Sequence, residues 1–394
     1  MQKKKNFQIT SITFMTNMKI ISAIILIIQK KMKITIIAGA RPNFMKIAPL
    51  MRAINAAALA GHSISARLVY TGASSDQGLE PTLFTELGIN PPQVYLGVDS
   101  KNFFERTAGI LVRFSEELST NPADLVVVVD DFTPTMACSI VAKKKGVKIA
   151  HLVAGIRSFD MDMPKEVNRM ITDGLSDFLF TAGMDANRNL NLTGTEQNKV
   201  YFVGNILIDN LRNNLHRFVK PVIFKILGLQ EKNYILLTLN RHTLLDETLK
   251  LKELILTILN NKRKMPVVCP AHSYVEKKIR SLQLASDNLY MLPSQPYLSF
   301  GYLEKNAFGI VTDSGNIAEE ATFLGIPCIT LNTYTEHAET TTVGTNTLVG
   351  ENVSALSSAM NRMMNDEWQQ SELPERWDGR TSERIVQILL ENKK

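Results

Sequence analysis

The sequence of 394 residues contains only three cysteines and no closely spaced pair of them. Cys138, Cys269 and Cys328 each lie in an apolar run, far from one another. This distribution excludes a disulfide-rich secreted domain and lacks the close cysteine spacing of a zinc site. We therefore expect buried free thiols, a reducing compartment and a cytoplasmic protein without a metal site.

Residues 32–394 carry no net charge. The formal charge of +6 arises in residues 1–31, which carry six lysines and no acidic residue, whereas the remainder has 38 basic and 38 acidic residues. A nucleic-acid-binding protein needs a basic face, so the neutral body argues against a nucleic-acid partner. Basic groups in the body are more consistent with a local phosphate ligand.

A membrane-spanning segment is absent from the sequence pattern as well. The apolar run at 20–28 is interrupted by Ser22 and flanked by lysines, and it is too short to span a bilayer. No small-residue cleavage site of a signal peptide follows it. We interpret residues 1–31 as a disordered or artefactual extension before Met32. A weak membrane-surface tether is the alternative, and stable membrane insertion is not expected.

From Met32 onward, short apolar runs alternate with helical patterns, which favours right-handed βαβ units and parallel sheets. The pattern predicts strands over 33–38, 66–70, 125–129, 148–153, 178–181 and 200–203, and then over 234–239, 266–269, 289–292, 310–312 and 327–331. The sequence therefore predicts an α/β fold with two Rossmann-like domains, residues 32–205 and 206–375, and a ligand cleft between them. Residues 376–394 are expected to form a helix that packs back across the domains.

The stretch IVTDSGNIAEEA at 310–321 is the most informative of the turns that follow predicted strands. It combines a strand, a turn of small residues and a helix start, where free N–H groups and the helix dipole favour an anion. Gly315 would let a phosphate approach the backbone, Ser314 adds a hydroxyl group, and Glu320 can accept hydrogen bonds from ribose hydroxyls. An ordinary turn followed by a helix with acidic residues in its first turn is the alternative.

Charged residues follow two predicted strands of the first domain. Arg41 and Lys46 bring two cations to the end of the first strand, where a diphosphate would need them; solvated surface cations are the alternative. Asp130 and Asp131 follow the most apolar strand, and adjacent carboxylates at a buried strand end are costly unless they are used or paired. Capping of the next helix by Asp131 or Thr133 is the alternative for this pair.

Further polar candidates lie in three other segments. AGIRS at 154–158 carries Arg157 after a strand, and PKEVNR at 164–169 opens a helix. Asn240 and Arg241 open the first loop of the second domain. His272 is interpreted as a structural histidine.

Together these motifs resemble the non-hydrolysing UDP-N-acetylglucosamine 2-epimerases over nearly the whole chain from Met32. The segments that carry the resemblance are GARPNFMKIAPL at 39–50, AGIRSFDMDMP at 154–164, TDSGNIAEEATFLGIPC at 312–328, GTNTLVG at 344–350 and WDGRTSERIVQIL at 377–389. The resemblance implies the two-domain fold shared with one class of glycosyltransferases. It also implies interconversion of UDP-GlcNAc and UDP-ManNAc for surface polysaccharide precursors, by elimination of UDP across C1–C2 and its addition to the other face.

The resemblance assigns roles to individual residues. The positions with a catalytic role are Arg41, Asp131, Lys165 and Glu166. The positions that would bind the UDP-sugar are Arg41, Lys46, Arg157, Asn240, Arg241, Ser314, Gly315, Asn316 and Glu320. We expect a homodimer that needs no cofactor.

Several positions depart from the pattern of the family. HVEAGLR of the family is HLVAGIR at 151–157, so Val153 replaces a carboxylate, and PEEINR is PKEVNR at 164–169, so Lys165 replaces a second one. Asn240 replaces the histidine of an HR pair, and Asp130 replaces the glycine of a GD turn. The remaining departures are TGASSD at 71–76 for TGQHYD, which the family ties to an allosteric UDP-GlcNAc site, and TEHA at 335–338 for TERP.

The nucleotide half of the expected site is better preserved than the proton-transfer half, although Asn240 can hydrogen-bond a phosphate but cannot carry charge. Removal of one general acid or base typically costs roughly a hundred- to ten-thousand-fold in rate. Lys165 can act as a base only if its pKa is lowered, and Glu166 lies about 100° further round the helix. Three hypotheses follow: a 2-epimerase with rearranged acid and base groups, an isomerase or transferase that acts on a different UDP-sugar, and a regulatory UDP-sugar-binding protein without catalysis.

Overall fold

The computed structural model describes residues 31–76, 78, 79 and 81–393. The predicted extension over residues 1–31 therefore lies outside the described part of the chain, apart from Lys31. The described residues fold around two β-sheets whose strand pairings are parallel, which confirms the predicted fold class. None of the helices in these described ranges is long and apolar enough to cross a membrane.

The first sheet has seven strands. They are β1 (Met32–Ala38), β2 (Ile64–Tyr70), β3 (Val94–Tyr95), β4 (Leu125–Val129), β5 (Lys148–Leu152), β6 (Phe178–Thr181) and β7 (Val200–Phe202). Their order across the sheet is β3-β2-β1-β4-β5-β6-β7. The central strand β4 reads LVVVV and is buried along its whole length, as expected for a parallel sheet that helices cover on both faces.

Helices pack on the two faces of this sheet. They are α1 (Arg41–Leu59), α2 (Pro81–Leu87), α3 (Phe103–Thr120), α4 (Thr133–Lys144), α5 (Pro164–Leu175) and α6 (Met184–Leu192), and a short 3₁₀ helix (Gln197–Lys199) precedes β7. Because side chains alternate along a strand, the odd-numbered residues of β4 share one core with α1. Val126 and Val128 face the other way and share a second core with Phe114 of α3.

The second sheet repeats this design with six strands. They are β8 (Ile235–Thr238), β9 (Val267–Ala271), β10 (Leu289–Pro293), β11 (Gly309–Thr312), β12 (Cys328–Thr330) and β13 (Asn346–Leu348), in the order β10-β9-β8-β11-β12-β13. The helices of this half are α7 (Ile206–Asn214), a 3₁₀ helix (Leu215–Arg217), α8 (Ile223–Ile226), α9 (His242–Asp246), α10 (Thr248–Leu259), α11 (Ser273–Ser281), α12 (Tyr297–Lys305), α13 (Gly315–Leu324), α14 (Glu339–Thr342), α15 (Val353–Met364) and α16 (Thr381–Glu391).

The C-terminal helix α16 returns to the first half of the molecule. It packs against α1 and α7, and Ile385 and Leu389 belong to the core of the first sheet. The carboxylate of Asp209 fixes the start of α16, since it accepts hydrogen bonds from the backbone N–H of Thr381 at 3.0 Å and of Ser382 at 2.6 Å. Helix α7 contacts both α1 and α13, so the predicted boundary after residue 205 falls just before a helix shared by both halves and stays a prediction.

The starts of two helices bear on the site. Helix α1 begins at Arg41, directly after the turn that follows β1, since Pro42 fits the first turn of a helix. Helix α4 begins at Thr133 with Phe132 at its N-cap and has no side-chain capping bond. Neither Asp131 nor Thr133 therefore caps α4, which removes the structural alternative proposed for Asp131.

In each sheet, polar turns follow the two strands that flank the switch point of the strand order. In each sheet the strand order reverses direction between two neighbouring strands, β1 and β4 in the first sheet and β8 and β11 in the second. Crevices at such switch points, outside the carboxyl ends of the strands, are where open α/β sheets bind ligands. The segments that follow these four strands carry most of the predicted site residues.

Candidate active site

A cleft of about 710 Å³ lies between the two switch points. From the first half it is lined by Lys46, Asp130, Asp131, Val153, Lys165 and Arg169, and from the second by Asn240, Arg241, Ser314, Gly315 and Asn316. The structure therefore brings together polar groups as far apart in the chain as Lys46 and Glu336. This convergence is the arrangement that the predicted cleft between two Rossmann-like domains requires.

A second cavity of about 250 Å³ adjoins the cleft. The two share Pro42, Ser314 and Asn316, and the second cavity is also lined by Arg41 and Glu320. Further lining residues are Pro270, His272, Tyr297 and Phe300. An apolar pocket with an aromatic ring and a buried carboxyl group at its edge suits a nucleoside, and we refer to it as the nucleoside cavity.

The start of α13 lies where the cleft and the nucleoside cavity meet. Ser314 is its N-cap and makes no side-chain capping bond, while its backbone N–H donates to the Thr312 hydroxyl at 3.0 Å. A Cβ atom added to Gly315 would meet nothing within 4 Å, so open space faces the first N–H groups of the helix. A helix N-terminus with free donors and room in front of it can hold a phosphate group.

Lys46 is not a free cation in this arrangement. Its ammonium group lies 2.6 Å from Asp130 Oδ1, and Asn43 Nδ2 donates to Asp130 Oδ2 at 2.8 Å. Burial alone would lower the pKa of Lys46, but the Asp130 carboxylate raises it above its usual value. The Asp130 residue, which stands where the family has glycine, adopts a left-handed backbone conformation with φ of 60° and neutralises a cation predicted to bind phosphate.

Asp131 faces two cations. Arg169 donates to Asp131 Oδ2 from Nε at 3.0 Å and from Nη2 at 2.7 Å, and Lys165 Nζ lies 3.3 Å from Asp131 Oδ1. Burial would raise the pKa of Asp131, but Lys165 and Arg169 together lower it. The Asp131 side chain is therefore a carboxylate that lies at the edge of the cleft.

Lys165 stays protonated for the same reason. Burial acts to lower its pKa, but Asp131 and Glu336 raise it above the ordinary value. The condition for Lys165 to act as a general base, a lowered pKa, is not met. Its side chain is about half exposed and its ammonium group lies 5.5 Å from the centre of the Phe132 ring, so it presents a cation to the cleft.

Glu166 and Arg157 are not among the residues that line either cavity. Glu166 is 1 % exposed and accepts hydrogen bonds from the backbone N–H of Ser158 at 2.8 Å and its hydroxyl at 2.9 Å. Arg157 donates to Asp173 Oδ2 at 2.6 Å. Both side chains are engaged behind the wall of the cleft, so the structure gives no support to a direct role of either in chemistry or substrate binding.

Val153 lines the cleft at the position of a missing carboxylate. Its backbone has φ of 65°, a left-handed conformation that is a genuine outlier for a β-branched residue. The strand predicted over residues 148–153 includes Val153, whereas β5 ends at Leu152. The backbone turns at Val153 and directs the chain into the loop that carries the cleft wall.

Asn240 and Arg241 are placed at the cleft by Asp313. The Asp313 carboxylate accepts hydrogen bonds from the backbone N–H of Asn240 at 2.8 Å and of Arg241 at 2.8 Å. Burial raises the pKa of Asp313 despite these bonds. The guanidinium group of Arg241 is paired with Glu351 at 2.7 Å, so much of its charge is already balanced.

The sequence did not assign a role in the site to three residues that the structure places there, which are Arg169, Glu336 and His272. Arg169 joins Asp131 to Glu336, which lies on the loop after β12 in the second half. The spacing from Lys165 to Arg169 is four, which places both on one face of α5 and could have identified Arg169. His272, interpreted as structural, is exposed at the nucleoside cavity and hydrogen-bonded to Ser294 at 2.8 Å.

The segment at 71–76 lines a separate cavity of about 470 Å³. Thr71, Gly72, Ala73, Ser75 and Asp76 all contribute to it. The resemblance ties this segment to an allosteric site, but three side chains of that pattern are replaced by short ones. The cavity is therefore lined at these positions by short side chains, among them Ala73 and Ser75.

Two facing Rossmann-like halves with a cleft between their switch points define a two-domain α/β protein of the GT-B-like class. A sequence model described as UDP-N-acetylglucosamine 2-epimerase matches residues 57–390. A UDP-N-acetylglucosamine 2-epimerase of Methanocaldococcus jannaschii is 33 % identical over 92 % of this chain and 100 % of its own. Its crystal structure in complex with UDP-GlcNAc and UDP superposes with a TM-score of 0.80 over the same shares of the two chains.

Two further relatives extend the comparison. The UDP-GlcNAc 2-epimerase of Neisseria meningitidis, solved bound to UDP-GlcNAc, has a TM-score of 0.83 at 26 % identity and covers 92 % of this chain and 100 % of its own. A UDP-2,3-diacetamido-2,3-dideoxy-D-glucuronate 2-epimerase of Pseudomonas aeruginosa is 32 % identical over 81 % of this chain and 88 % of its own. This chain belongs to the UDP-N-acetylglucosamine 2-epimerase family, which confirms the family predicted from its motifs.

Proposed function

We propose that this protein binds a UDP-sugar between its two halves and catalyses epimerisation at C2, with UDP-GlcNAc and UDP-ManNAc as the interconverted pair. The observation that carries the proposal is the convergence of Asp131, Ser314 and Glu320 on adjoining cavities. Uridine would occupy the nucleoside cavity, with its ribose at Glu320, and the sugar would lie beside Asp131.

The diphosphate is proposed to lie at the start of α13. The hydroxyl group of Ser314, which makes no capping bond, and the backbone N–H of Gly315 supply donors there, and Arg41 lines the cavity next to them. Lys46 and Arg241 are each neutralised by a carboxylate, whereas Arg41 forms no ion pair within the described part of the chain. Arg41 is therefore our choice for the cation that stabilises UDP as it leaves C1.

Asp131 and Lys165 are proposed to move the proton. Asp131 is ionised and can take the proton of C2 as the C1–O bond breaks, and the bonding electrons leave with UDP. Lys165 is protonated and can return a proton to the opposite face of C2, once the unsaturated sugar has turned within the cleft, before UDP adds back. An efficient general acid or base has a pKa near the working pH, and the shifts at both residues lead away from it, so we expect slow turnover.

Incubation of the purified protein with UDP-GlcNAc tests the proposal. Formation of UDP-ManNAc, followed by the NMR signals of the anomeric protons, is expected at a low rate. The Asp131→Asn variant keeps the shape of the side chain and should form no product. Because one relative acts on a UDP-linked diacetamido-glucuronate, that sugar belongs in the same assay as an alternative substrate.

A second candidate function is UDP-sugar binding without catalysis. It is favoured by Val153, which offers no proton to the cleft, and by the two cations that hold Asp131. Such a protein would bind UDP-GlcNAc and leave it unchanged during long incubation. Product formation decides between the two candidates.

Assembly and location are part of the same proposal. Cys138, Cys269 and Cys328 are free and buried, which is typical of a reducing compartment, and we place the protein in the cytoplasm as a homodimer that supplies a surface polysaccharide precursor. Light scattering of the purified protein should give a mass near twice the 44.1 kDa of the chain. A monomer would refute the dimer but leave the chemistry untouched.

A further inference from the structure

Glu304 is a buried carboxyl group that the proposed reaction does not use. It lies on α12 with 1 % of its surface exposed, and its Oε1 atom has no hydrogen-bond partner among the described residues. Its carboxyl group is in hydrogen-bonding contact with that of Glu320 on α13. Glu320 is 6 % exposed and lines the nucleoside cavity, whereas Glu304 is not among the residues that line it.

Two carboxylates in contact inside a protein cannot both stay ionised. Neither can donate a hydrogen bond to the other, and their charges repel strongly in a medium of low dielectric constant. One shared proton resolves the conflict, because a neutral carboxyl group donates a strong O–H···O⁻ bond to its ionised partner. The contact between Glu304 and Glu320 therefore requires that one of them is protonated.

The surroundings assign that proton to Glu304. Burial raises the pKa of both groups, that of Glu320 to about 7 and that of Glu304 well above its ordinary value. Glu320 lines the nucleoside cavity and is 6 % exposed, whereas Glu304 is 1 % exposed and does not line it, so the negative charge is better solvated on Glu320. The hydrogen bond to Glu304 lowers the pKa of Glu320, Glu319 raises it, and Lys46, which is itself paired with Asp130, lowers it. The negative charge of Glu320 raises the pKa of Glu304 further, which favours the protonated form of Glu304.

The other titratable and charged groups around the pair do not compete for this proton. Burial raises the pKa of Tyr234, Tyr297 and Cys328, so these groups stay neutral near pH 7. Glu319 adds a negative charge beside Glu320. The groups that face the pair are Lys46 from α1, Tyr297 from α12, Glu319 from α13, Tyr234 before β8 and Cys328 from β12.

We propose that Glu304 is a positioning residue for the nucleoside cavity: it donates its proton in a hydrogen bond to Glu320 and so holds Glu320 ionised and oriented to accept the ribose hydroxyls of a uridine nucleotide. This inference rests on the proposed function, because it assumes a ribose at Glu320. In this arrangement Glu304 is a neutral acid that does not contact the ligand, and it sets the charge of Glu320, which does.

The inference has a direct consequence for the pH dependence of binding. Glu320 is ionised above about pH 7 and protonated below it. A protonated carboxyl group is a poorer acceptor for two hydroxyls, so the affinity for the nucleotide should fall as the pH drops through this range. UDP-GlcNAc is the suitable probe, because its diphosphate is esterified at both ends and does not titrate there.

Two substitutions separate the hydrogen bond from simple packing. Glu304→Leu keeps the approximate volume but removes the donor, so at neutral pH the affinity for UDP-GlcNAc should fall about tenfold. The midpoint of its pH profile should also move to higher pH. Glu304→Gln keeps an N–H donor to Glu320 and should restore the affinity and the profile of the wild type. Because leucine and glutamine keep the approximate volume of Glu304, a thermal melt should show that both variants fold.

Calorimetric titration of the full chain and both variants across this pH range distinguishes the outcomes. Wild-type affinity and pH profile in Glu304→Leu would overturn the inference, as would a Glu304→Gln variant as weak as Glu304→Leu. A wild-type protein that fails to bind UDP-GlcNAc at all would refute the proposed function itself. Weak binding by Glu304→Leu with rescue by Glu304→Gln supports the inference whether or not the protein turns the ligand over.

Discussion

The ammonium group of Lys165 lies 3.3 Å from the carboxylate of Asp131 at the edge of the cleft. Asp131 is the carboxylate that the chain retains from the family pattern. Lys165 is a cation at a position where the family has a second carboxylate. Arg169 holds the second oxygen of Asp131 at 2.7 Å, so the carboxylate is fixed and ionised. The pairing explains how a lysine can stand beside an aspartate that the proposed reaction needs, and it also explains why that aspartate should be a weak base.

Restoring both missing carboxylates should raise the rate of proton exchange at C2. The change is Val153→Glu combined with Lys165→Glu, which adds two proton-transfer groups beside an intact nucleotide site. Each single change should do much less, since groups that act as a unit are not additive. The measurement is the exchange rate of the C2 proton of UDP-GlcNAc, with a thermal melt as a control for folding, because new carboxylates near Asp131 repel it.

A double variant that folds and binds UDP-GlcNAc but exchanges no faster would contradict this account. It would show that Val153 and Lys165 do not limit the reaction. Fast exchange by the wild type would contradict it as well, because the ion pairs of Asp131 would then be no obstacle.

Replacing Val153 by asparagine should stabilise the protein. Val153 has φ of 65°, and a left-handed conformation costs an ordinary L-residue about 1–2 kcal/mol, whereas asparagine adopts it readily. Some packing against the first core is lost, so we expect a net gain of about 1 kcal/mol in the free energy of unfolding. Urea unfolding should show a higher midpoint with an unchanged slope.

Val200→Asn is the matched control for this prediction. Val200 is also half-buried but lies in β7, where a valine is favoured over asparagine. That variant should be destabilised. A lower urea midpoint for Val153→Asn would show that the backbone at this position is not strained.

Removal of the Arg41 side chain should weaken the binding of UDP. Arg41 is the cation that we assign to the diphosphate, and a charge-assisted hydrogen bond to phosphate contributes strongly to affinity. Arg41→Ala should lower the affinity for UDP by at least about tenfold in calorimetry. Arg188→Ala is the control, since Arg188 is exposed and pairs only with Asp185 in the described structure; equal affinities of the two variants would exclude Arg41 from the site.

A chain that begins at Met32 should fold and bind UDP as the full chain does. Residues 1–31 precede β1 and carry the excess charge. The measurements are a thermal melt and the affinity for UDP of both chains. A shortened chain that aggregates or melts at a lower temperature would show that the N-terminal segment contributes to the fold.

The sequence predicts the central strands well because burial alone determines them. β4 is predicted to the residue, since five consecutive buried β-branched or aliphatic side chains are unambiguous. The edge strands β3 and β13 are two and three residues long and leave no detectable period. The strand predicted over residues 148–153 is one residue too long, because the backbone at Val153 is left-handed with φ of 65° and β5 ends at Leu152.

The sequence predicts which residues lie in the site but not which side chains form ion pairs and hydrogen bonds with each other. Strand ends and glycine-containing turns identify Asp131, Ser314 and Glu320. The contact between Lys46 and Asp130 joins residues 84 positions apart, and no local pattern encodes it. The engagement of Glu166 with Ser158 and the proton shared by Glu304 and Glu320 likewise depend on how helices pack, which the periodicity of one helix does not reveal.

The measurement that tests the central claim most directly is the incorporation of deuterium at C2 of UDP-GlcNAc in heavy water. The proposed reaction breaks the C2–H bond, and a proton from solvent replaces it on return, so NMR should show slow loss of the C2 proton signal as UDP-ManNAc forms. The Asp131→Asn variant should bind UDP-GlcNAc and show no loss. Complete retention of the C2 proton by a wild-type protein saturated with UDP-GlcNAc would contradict the account and identify a binding protein instead.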